Sequence, residues 1–163
     1  MRRFLAERGV IIMRENRPIG YVSTTYGAPL KVYGQILAMV KDVERHVSVG
    51  VKFEQPETST HISSAAFVDS DELDEFVAAF DFIGSAAQNM AKERRDYTEV
   101  TYCTRDDLTV GFYQDELKQQ AFVRLGIGSP IIFFAITALA TLRDLVIQAR
   151  AHVNGRRPAW EAR

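Results

Sequence analysis

The chain has 163 residues, of which 47% are hydrophobic and 25% are charged, and its formal net charge is −1. This length suits one domain, which would bury roughly 70% of the surface that its unfolded chain exposes. The composition excludes disordered, collagen-like and fibrous proteins. A net charge near zero provides no overall field to attract nucleic acid or an anionic membrane, so we expect no nucleic-acid partner.

The charge is unevenly distributed along the chain. Residues 1–17 and residues 150–163 each sum to +3, so the residues between them sum to −7. We interpret the basic ends as solvated tails that keep the protein soluble. The alternative is that basic ends pair with acidic bodies between subunits.

Cysteine content and hydropathy predict a cytoplasmic protein. The single Cys103 rules out an internal disulfide and suits a reducing compartment, where we expect it to pack as a small apolar residue. Glu7 and Arg8 interrupt any apolar signal segment near the start. The longest apolar run, Ile131–Leu142, has twelve residues, whereas about twenty are needed to span a bilayer. We therefore expect no membrane span.

The first half of the sequence alternates like antiparallel sheet. Val47, Val49, Val51 and Phe53 recur with the period of two that places them on one face of a strand. Turn residues at Asn16–Pro18 and Gly27–Pro29 separate the earlier strands. Five strands are predicted: Gly9–Glu15, Ile19–Thr25, Leu30–Val40, Val47–Phe53 and Thr60–Val68.

An acidic segment follows, with six carboxylates between Asp69 and Asp81. Apolar residues at spacings of three and four predict an amphipathic helix near residues 69–92. Asp69 is the predicted N-cap and Glu72 the third residue of a capping box. Negative charge in the first turns also suits the positive end of the helix dipole. The apolar stripe comprises Leu73, Phe76, Val77, Phe80, Ile83, Ala87 and Met90.

The same segment supplies the candidate metal ligands. Asp71, Asp74 and Glu75 share one face of the predicted helix, an arrangement that suits a weak surface Mg²⁺ or Ca²⁺ site. The spacing does not match a calcium-binding loop, because Leu73 occupies a ligand position and no glycine follows. Helix initiation is therefore the preferred interpretation of the cluster.

The second half predicts a three-stranded meander and a terminal helix. The strands are Tyr97–Cys103, Leu108–Gln114 and Gln119–Leu125. Ser129 and Pro130 form a helix-start signal, so one prediction is a helix near residues 130–153 that stops at Asn154-Gly155. The alternative left open is a short strand over residues 130–134, with the helix starting near Thr137.

Gly126, Gly128 and Ser129 are the candidate ligand-binding residues. Two glycines and a serine before a helix N-terminus can cradle an anion. The segment lacks the lysine of a P-loop and the third glycine of a dinucleotide fingerprint, and Pro130 removes one N–H donor. A tight turn followed by a helix cap is the competing interpretation.

Other active-site patterns are missing from the sequence. It contains no HExxH, CxxC or G-x-S-x-G motif. In the predicted hairpin, His61 lies opposite Lys52 and His46 lies opposite Phe67, which separates the two imidazoles by roughly 20 Å at the usual rise per strand residue. We therefore predict no catalytic residue, no zinc site and no cofactor.

An aromatic stacking platform was considered for the second block of strands. Aromatic residues beside arginines on a sheet can stack nucleic-acid bases. Acidic residues at the predicted turns, Asp106–Asp107 and Asp115–Glu116, disfavour phosphate, so nucleic acid is not the predicted ligand. The aromatic residues considered are Tyr102, Phe112, Tyr113 and Phe122.

Two segments carry a resemblance to a group of proteins. The acidic helix start at Asp69–Asp74 and the run TRDDLTVGFYQ at residues 104–114 resemble small uncharacterised bacterial α+β proteins. The resemblance covers about residues 30–152. It implies an α+β architecture, and it implies no catalytic residue, because that group has no established activity.

The predicted fold is a single α+β domain over residues 1–153, with a flexible basic tail at 154–163. About eight mostly antiparallel strands, in the order β5-α-β3-α, form a curved sheet or partly open barrel packed by two long helices. Apolar residues on both faces of the strands, such as Ile36 with Leu37 and Phe112 with Tyr113, predict a partner surface. We expect a non-enzymatic binding or self-assembly module that contacts a second copy or another protein. The alternative is an anionic-ligand carrier or enzyme with a pocket between the sheet and the C-terminal helix near Gly126–Ser129.

Overall fold

Each half of the chain folds as four antiparallel strands followed by one helix. The structure, a computed structural model, describes residues 9–41, 44–57 and 63–162. Neighbouring strands are paired in chain order within each of two separate sheets. Sheet A consists of β1 (Ile11–Val22), β2 (Leu30–Lys41), β3 (Glu44–Gln55) and β4 (Ser64–Asp69), and helix α1 (Leu73–Met90) follows it. Sheet B consists of β5 (Arg95–Cys103), β6 (Leu108–Glu116), β7 (Lys118–Leu125) and β8 (Ile131–Phe134), and helix α2 (Ala138–Glu161) follows it.

The two helices are exchanged between the halves. Helix α2 packs against β1, β2 and β3 of sheet A, whereas α1 packs against β5 and β6 of sheet B and against α2. Glycines allow the close approach of α2, because an added Cβ at Gly20 would lie 2.5 Å from Leu145 and one at Gly34 would lie 3.1 Å from His152 and Val153. The helix of each half therefore packs on the sheet of the other half. Neither sheet buries its apolar face with the helix of its own half alone.

One hydrophobic cluster joins both sheets and both helices. The alternation of β6 and β7 places Val110, Phe112 and Val123 in this cluster, and the stripe predicted for α1 faces it. Burial of such side chains is the main favourable contribution to folding. The largest fully buried side chains of the cluster are Phe53, Phe76, Phe112, Phe134, Leu30, Leu73, Ile83, Leu108 and Leu142.

The α+β class, the antiparallel pairing and the two helices are confirmed, but the predicted order and the barrel are wrong. The strands divide four and four, and they form two open sheets. The turn predicted at Asn16–Pro18 does not exist, because these residues pair with Gln35, Gly34 and Tyr33 inside β1. Pro18 is tolerated because β1 is an edge strand, and the register shifts between Pro18 and Gly20.

The C-terminal region follows the alternative that the sequence left open. Residues Ile131–Phe134 form β8, and α2 begins at Ala138 with Thr137 as its N-cap. The predicted stop at Asn154-Gly155 is wrong, since α2 continues to Glu161. The indole N–H of Trp160 donates a hydrogen bond to Glu15 Oε2 at 3.2 Å. Residues 154–161, predicted as a tail, therefore belong to the helix and contact β1.

Candidate functional site

The face of sheet B that points away from the core carries a cluster of aromatic rings. Alternation along β6 and β7 sends Phe112 and Val123 into the core and Tyr113 and Phe122 to the opposite face. Phe122 is only 5% exposed and yet lies outside the core cluster, because its neighbours on this face cover it. We call the surface formed by Tyr97, Tyr113, Phe122 and Phe133 the aromatic face.

The rings of the aromatic face contact one another in a continuous row. Tyr97 and Tyr113 are stacked, with centroids 5.8 Å apart and an interplanar angle of 21°. Phe133 meets Tyr113 edge-on at 6.1 Å and 83°, and it meets Phe122 at 6.4 Å and 65°. Such pairs add about 0.5–1.5 kcal/mol beyond the burial of their area. The rings therefore form an ordered surface, of which Tyr97 remains 63% exposed.

Backbone and side-chain hydrogen bonds hold this surface in place. The hydroxyl of Tyr113 donates to Gln120 Oε1 at 2.8 Å, and Gln120 Nε2 donates to Thr25 Oγ1 at 3.2 Å. The Thr25 amide donates to the Phe133 carbonyl at 2.6 Å, which ties the segment after β1 to the edge strand β8. Gly111 lies opposite Phe122, and an added Cβ there would lie 2.3 Å from the Val100 carbonyl oxygen.

Polar groups border the aromatic face on two sides. A shallow cavity of about 270 Å³ is lined by the four rings together with Glu99, Arg124 and Ile131. The Tyr97 hydroxyl donates to Glu99 Oε2 at 2.9 Å, and this hydrogen bond, with some burial and the charge of Glu99, raises the pKa of the Tyr97 phenol. Arg124 is exposed and has no ion-pair partner in the described part of the chain. The arrangement suits binding by contact and stacking.

Only part of this surface could be predicted from the sequence. The residues Tyr113 and Phe122 belong to the aromatic face, whereas Tyr102 and Phe112, predicted in the same group, lie on the opposite, core-facing side of sheet B. Tyr97 and Phe133 were missed. Strand alternation with the correct register would have separated the outward-facing rings from the core-facing rings. Phe133 could not be assigned to a face, because the sequence left open whether residues 130–134 form a strand.

The acidic segment before α1 has a different role from the predicted capping box. Asp69 ends β4, and the N-cap of α1 is Glu72, which makes no side-chain capping hydrogen bond. The Glu72 carboxylate is buried and accepts hydrogen bonds from the Arg105 amide at 2.8 Å and from Arg105 Nε at 3.3 Å. The capping prediction is wrong because Glu72 instead ties the start of α1 to the turn between β5 and β6.

The three candidate metal ligands have separate surroundings. Asp71 pairs with Arg105, Asp74 pairs with Arg150, and Glu75 lies beside Tyr102 in a groove next to β5. Within residues 9–41, 44–57 and 63–162, no group of three or more His, Cys, Asp or Glu side chains could hold a metal ion. The carboxylates at the start of α1 therefore serve mainly in ion pairs between elements.

The pKa of Asp71 offers a direct test of its ion pair. The hydrogen bond from Arg105 lowers the pKa of the Asp71 carboxyl, and the charge of Arg105 adds to this effect. A folded-state pKa below the unfolded value stabilises the protein above the unfolded pKa, and this stabilisation is lost as the pH falls through the folded pKa. We expect the Arg105→Met variant to raise the Asp71 pKa toward its ordinary value in an NMR titration. Added salt should raise it as well, because the pair is exposed. An Asp71 pKa unchanged by Arg105→Met would contradict the assignment.

The candidate ligand residues Gly126, Gly128 and Ser129 form the tight turn between β7 and β8. The Ser129 amide donates to the Gly126 carbonyl at 3.2 Å, and both glycines have positive φ. The helix N-terminus that motivated an anion site here is not present, because β8 follows the turn. An open groove of about 400 Å³ does lie between sheet B and the two helices, but its lining residues are Gly84, Ala87, Gln88, Ala91, Gln119, Ile136, Thr137, Leu139 and Ala140.

The histidine and cysteine predictions also change. Lys52 pairs with Phe67, so the predicted register of β3 with β4 is wrong by six residues. His46 lies on β3 opposite Met39, and His61 is outside the described residues. Cys103 is exposed on β5, and its Sγ lies 3.6 Å from the Thr109 hydroxyl. The expectation that Cys103 packs as a small apolar residue is therefore wrong.

Comparisons with protein-family models, with curated proteins and with solved structures found no match to this chain. Neither helix of the described ranges is long and apolar enough to cross a membrane.

Proposed function

We propose that this protein is a non-enzymatic binding and self-assembly module that docks through the aromatic face of sheet B. The observation that carries the proposal is the ordered row of four rings on the face of sheet B opposite the core. Tyr97 at one end of the row is 63% exposed, and apolar surface left exposed in this way marks a site of interaction. Tyrosine and phenylalanine are among the residues that are enriched in protein interfaces.

Exposed apolar residues around the aromatic face extend the candidate interface. They lie in the turns at both ends of β7, on β8, and in the segment after β1 that hydrogen-bonds to β8. A partner that covers the rings would also bury some of these side chains, which widens the contact. The surrounding residues are Tyr26, Leu117, Ile127 and Ile131, which are 75%, 59%, 86% and 40% exposed.

The charges on the face favour a second copy of the chain as the partner. Glu99 and Asp115 balance Lys118 and Arg124 on the outer side of sheet B, so the face is neutral and carries both signs. A two-fold interface places the same patch against itself, which a strongly charged face would resist. Arg124 has no ion-pair partner within the described chain, and an acidic residue of a second copy could supply one.

Mass in solution tests this proposal. We expect the wild-type protein to form a dimer whose population rises with concentration in analytical ultracentrifugation. Tyr97→Lys should weaken dimerisation by about tenfold or more, because it removes the exposed ring and places a charge within an apolar contact. Tyr97 is exposed, so the substitution should leave the circular dichroism spectrum unchanged.

The matched control is Tyr21→Lys. Tyr21 lies on sheet A and, like Tyr97, is 63% exposed. The Tyr21→Lys substitution should leave the dissociation constant of the dimer unchanged. A strictly monomeric wild type at every accessible concentration, or equal weakening by both substitutions, would overturn the proposal.

A further inference from the structure

A second surface lies along the free edge of sheet B at strand β5, which also carries Tyr97 of the aromatic face. It is an open apolar groove of about 400 Å³ between one side of α1 and β5. Phe82 lines the groove and is 70% exposed. The groove is lined by Glu75, Ala78, Ala79, Phe82, Ile83, Thr101 and Tyr102.

The edge strand beside this groove has unpaired backbone groups. Strand β5 is paired with β6 on one side only. Among the described residues, no other element hydrogen-bonds to the backbone of residues 97–103 along that edge. Along an edge strand, backbone N–H and C=O groups point away from the sheet without hydrogen-bond partners. A second extended chain can form hydrogen bonds with these groups one after another along the strand.

The groove carries one negative charge without an ion-pair partner. Glu75 on α1 lines the groove and forms no ion pair in the described ranges, whereas the other carboxylates of α1, Asp74 and Asp81, are paired with arginines. No arginine or lysine lines the groove. A ligand with positive charge beside an apolar group would therefore complement this surface.

We propose that the groove binds an extended peptide segment of a partner protein, which adds to β5 as a further antiparallel or parallel strand. Side chains of an added strand alternate between the two faces of the sheet. One set points toward α1, where Ala78 and Ala79 leave room for a large apolar side chain against Phe82. A lysine or arginine next to this anchor contacts Glu75. The backbone provides affinity, and the apolar and basic side chains provide selectivity.

Selection from a library of random nine-residue peptides, matched to the nine residues of β5, tests the inference. The bait is the full chain, and the counter-bait is Ala78→Arg, which fills the groove with a long cation at an exposed position. We expect selected peptides to carry an aliphatic or aromatic residue within two positions of lysine or arginine.

The selected peptide is then measured by fluorescence polarisation. We expect Ala78→Arg to weaken binding by about tenfold or more, and Glu75→Lys to weaken it by about threefold. Methylation of alternate backbone amides of the peptide should abolish binding, because strand pairing needs those donors. Ala151→Arg, at an exposed alanine of α2, is the matched control and should bind like the wild type.

Three outcomes would overturn the inference. The first is that the selection enriches no peptide that binds the wild type more tightly than it binds Ala78→Arg. The second is a selected peptide whose binding survives amide methylation, and the third is a selected peptide that binds as a helix by circular dichroism. The proposed self-assembly is tested separately with Ile131→Lys. Ile131 is exposed beside the rings of the aromatic face and lies on β8, at the edge of sheet B opposite β5. This variant should weaken dimerisation and leave peptide binding intact.

Discussion

Replacing Phe76 with alanine should lower the free energy of unfolding by about 3–5 kcal/mol, the usual cost of removing a buried phenylalanine ring. Phe76 is fully buried in α1. Its ring lies 5.8 Å from that of Phe53 in sheet A, 5.0 Å from that of Phe80 and 6.0 Å from that of Tyr102 in sheet B. The substitution removes the ring that links the two sheets through the helix, and urea unfolding measures its effect.

Phe82→Ala is the matched control on the same helix. Phe82 is 70% exposed, so its replacement should change the free energy of unfolding by less than about 0.5 kcal/mol, as for other surface positions. Equal losses for the two variants would contradict the burial assigned to these side chains. Phe82→Ala should also reduce peptide binding in the groove beside β5, which separates the role of this ring in recognition from any role in stability.

Replacing Gln114 with methionine should lower the free energy of unfolding by about 1–3 kcal/mol, because it leaves buried polar groups without partners. Gln114 is fully buried in β6. Its Nε2 donates to the carbonyls of Glu93 and Glu116 at 2.6 and 2.8 Å, and its Oε1 accepts from Gln119 at 2.8 Å. Methionine has a similar shape, so the measured loss reports the hydrogen bonds rather than a cavity.

Gln88→Met is the control for this substitution. Gln88 is exposed on α1, so thermal and urea unfolding should show little change. The network around Gln114 extends to the end of α1, since Gln119 Nε2 also donates to the Ala87 carbonyl at 2.8 Å. We therefore expect Gln114→Met to increase amide hydrogen exchange in the last turn of α1. Unchanged exchange there, with unchanged stability, would contradict the role assigned to Gln114.

Local patterns predicted those elements whose signals lie within one segment. The apolar stripe of α1 was correct because spacings of three and four residues define a helix face without reference to the rest of the chain. The strands β5, β6 and β7 were also placed well, because the turn at residues 104–107 carries a strong local signal, although the second turn was predicted at Asp115–Glu116 and lies at Leu117. Pro18 misled the prediction, because its effect depends on whether the strand lies at the edge of a sheet.

The candidate sites depended on information that local patterns lack. Tyr113 and Tyr97 meet across two strands, and their contact follows from the register of β5 with β6, which includes a shift between Arg95 and Tyr97. Glu72 suited a capping box by its spacing, but Arg105, 33 residues later, provides its hydrogen-bond donors. Long-range hydrogen-bond partners of this kind compete with local capping interactions. The sequence of one segment does not show which of the two interactions will form.

The sequence by itself determined that this protein is α+β, that most of its strands are antiparallel and that two amphipathic helices cover them, because periodicity and turn chemistry act within a few residues. Only the tertiary structure decided that the strands form two sheets of four and that each helix packs on the sheet of the other half. It also decided which aromatic residues face outward and which edge of sheet B stays unpaired. The physical reason is that an apolar face can be buried by any matching surface in the chain, and the choice among them is made by packing of the whole molecule.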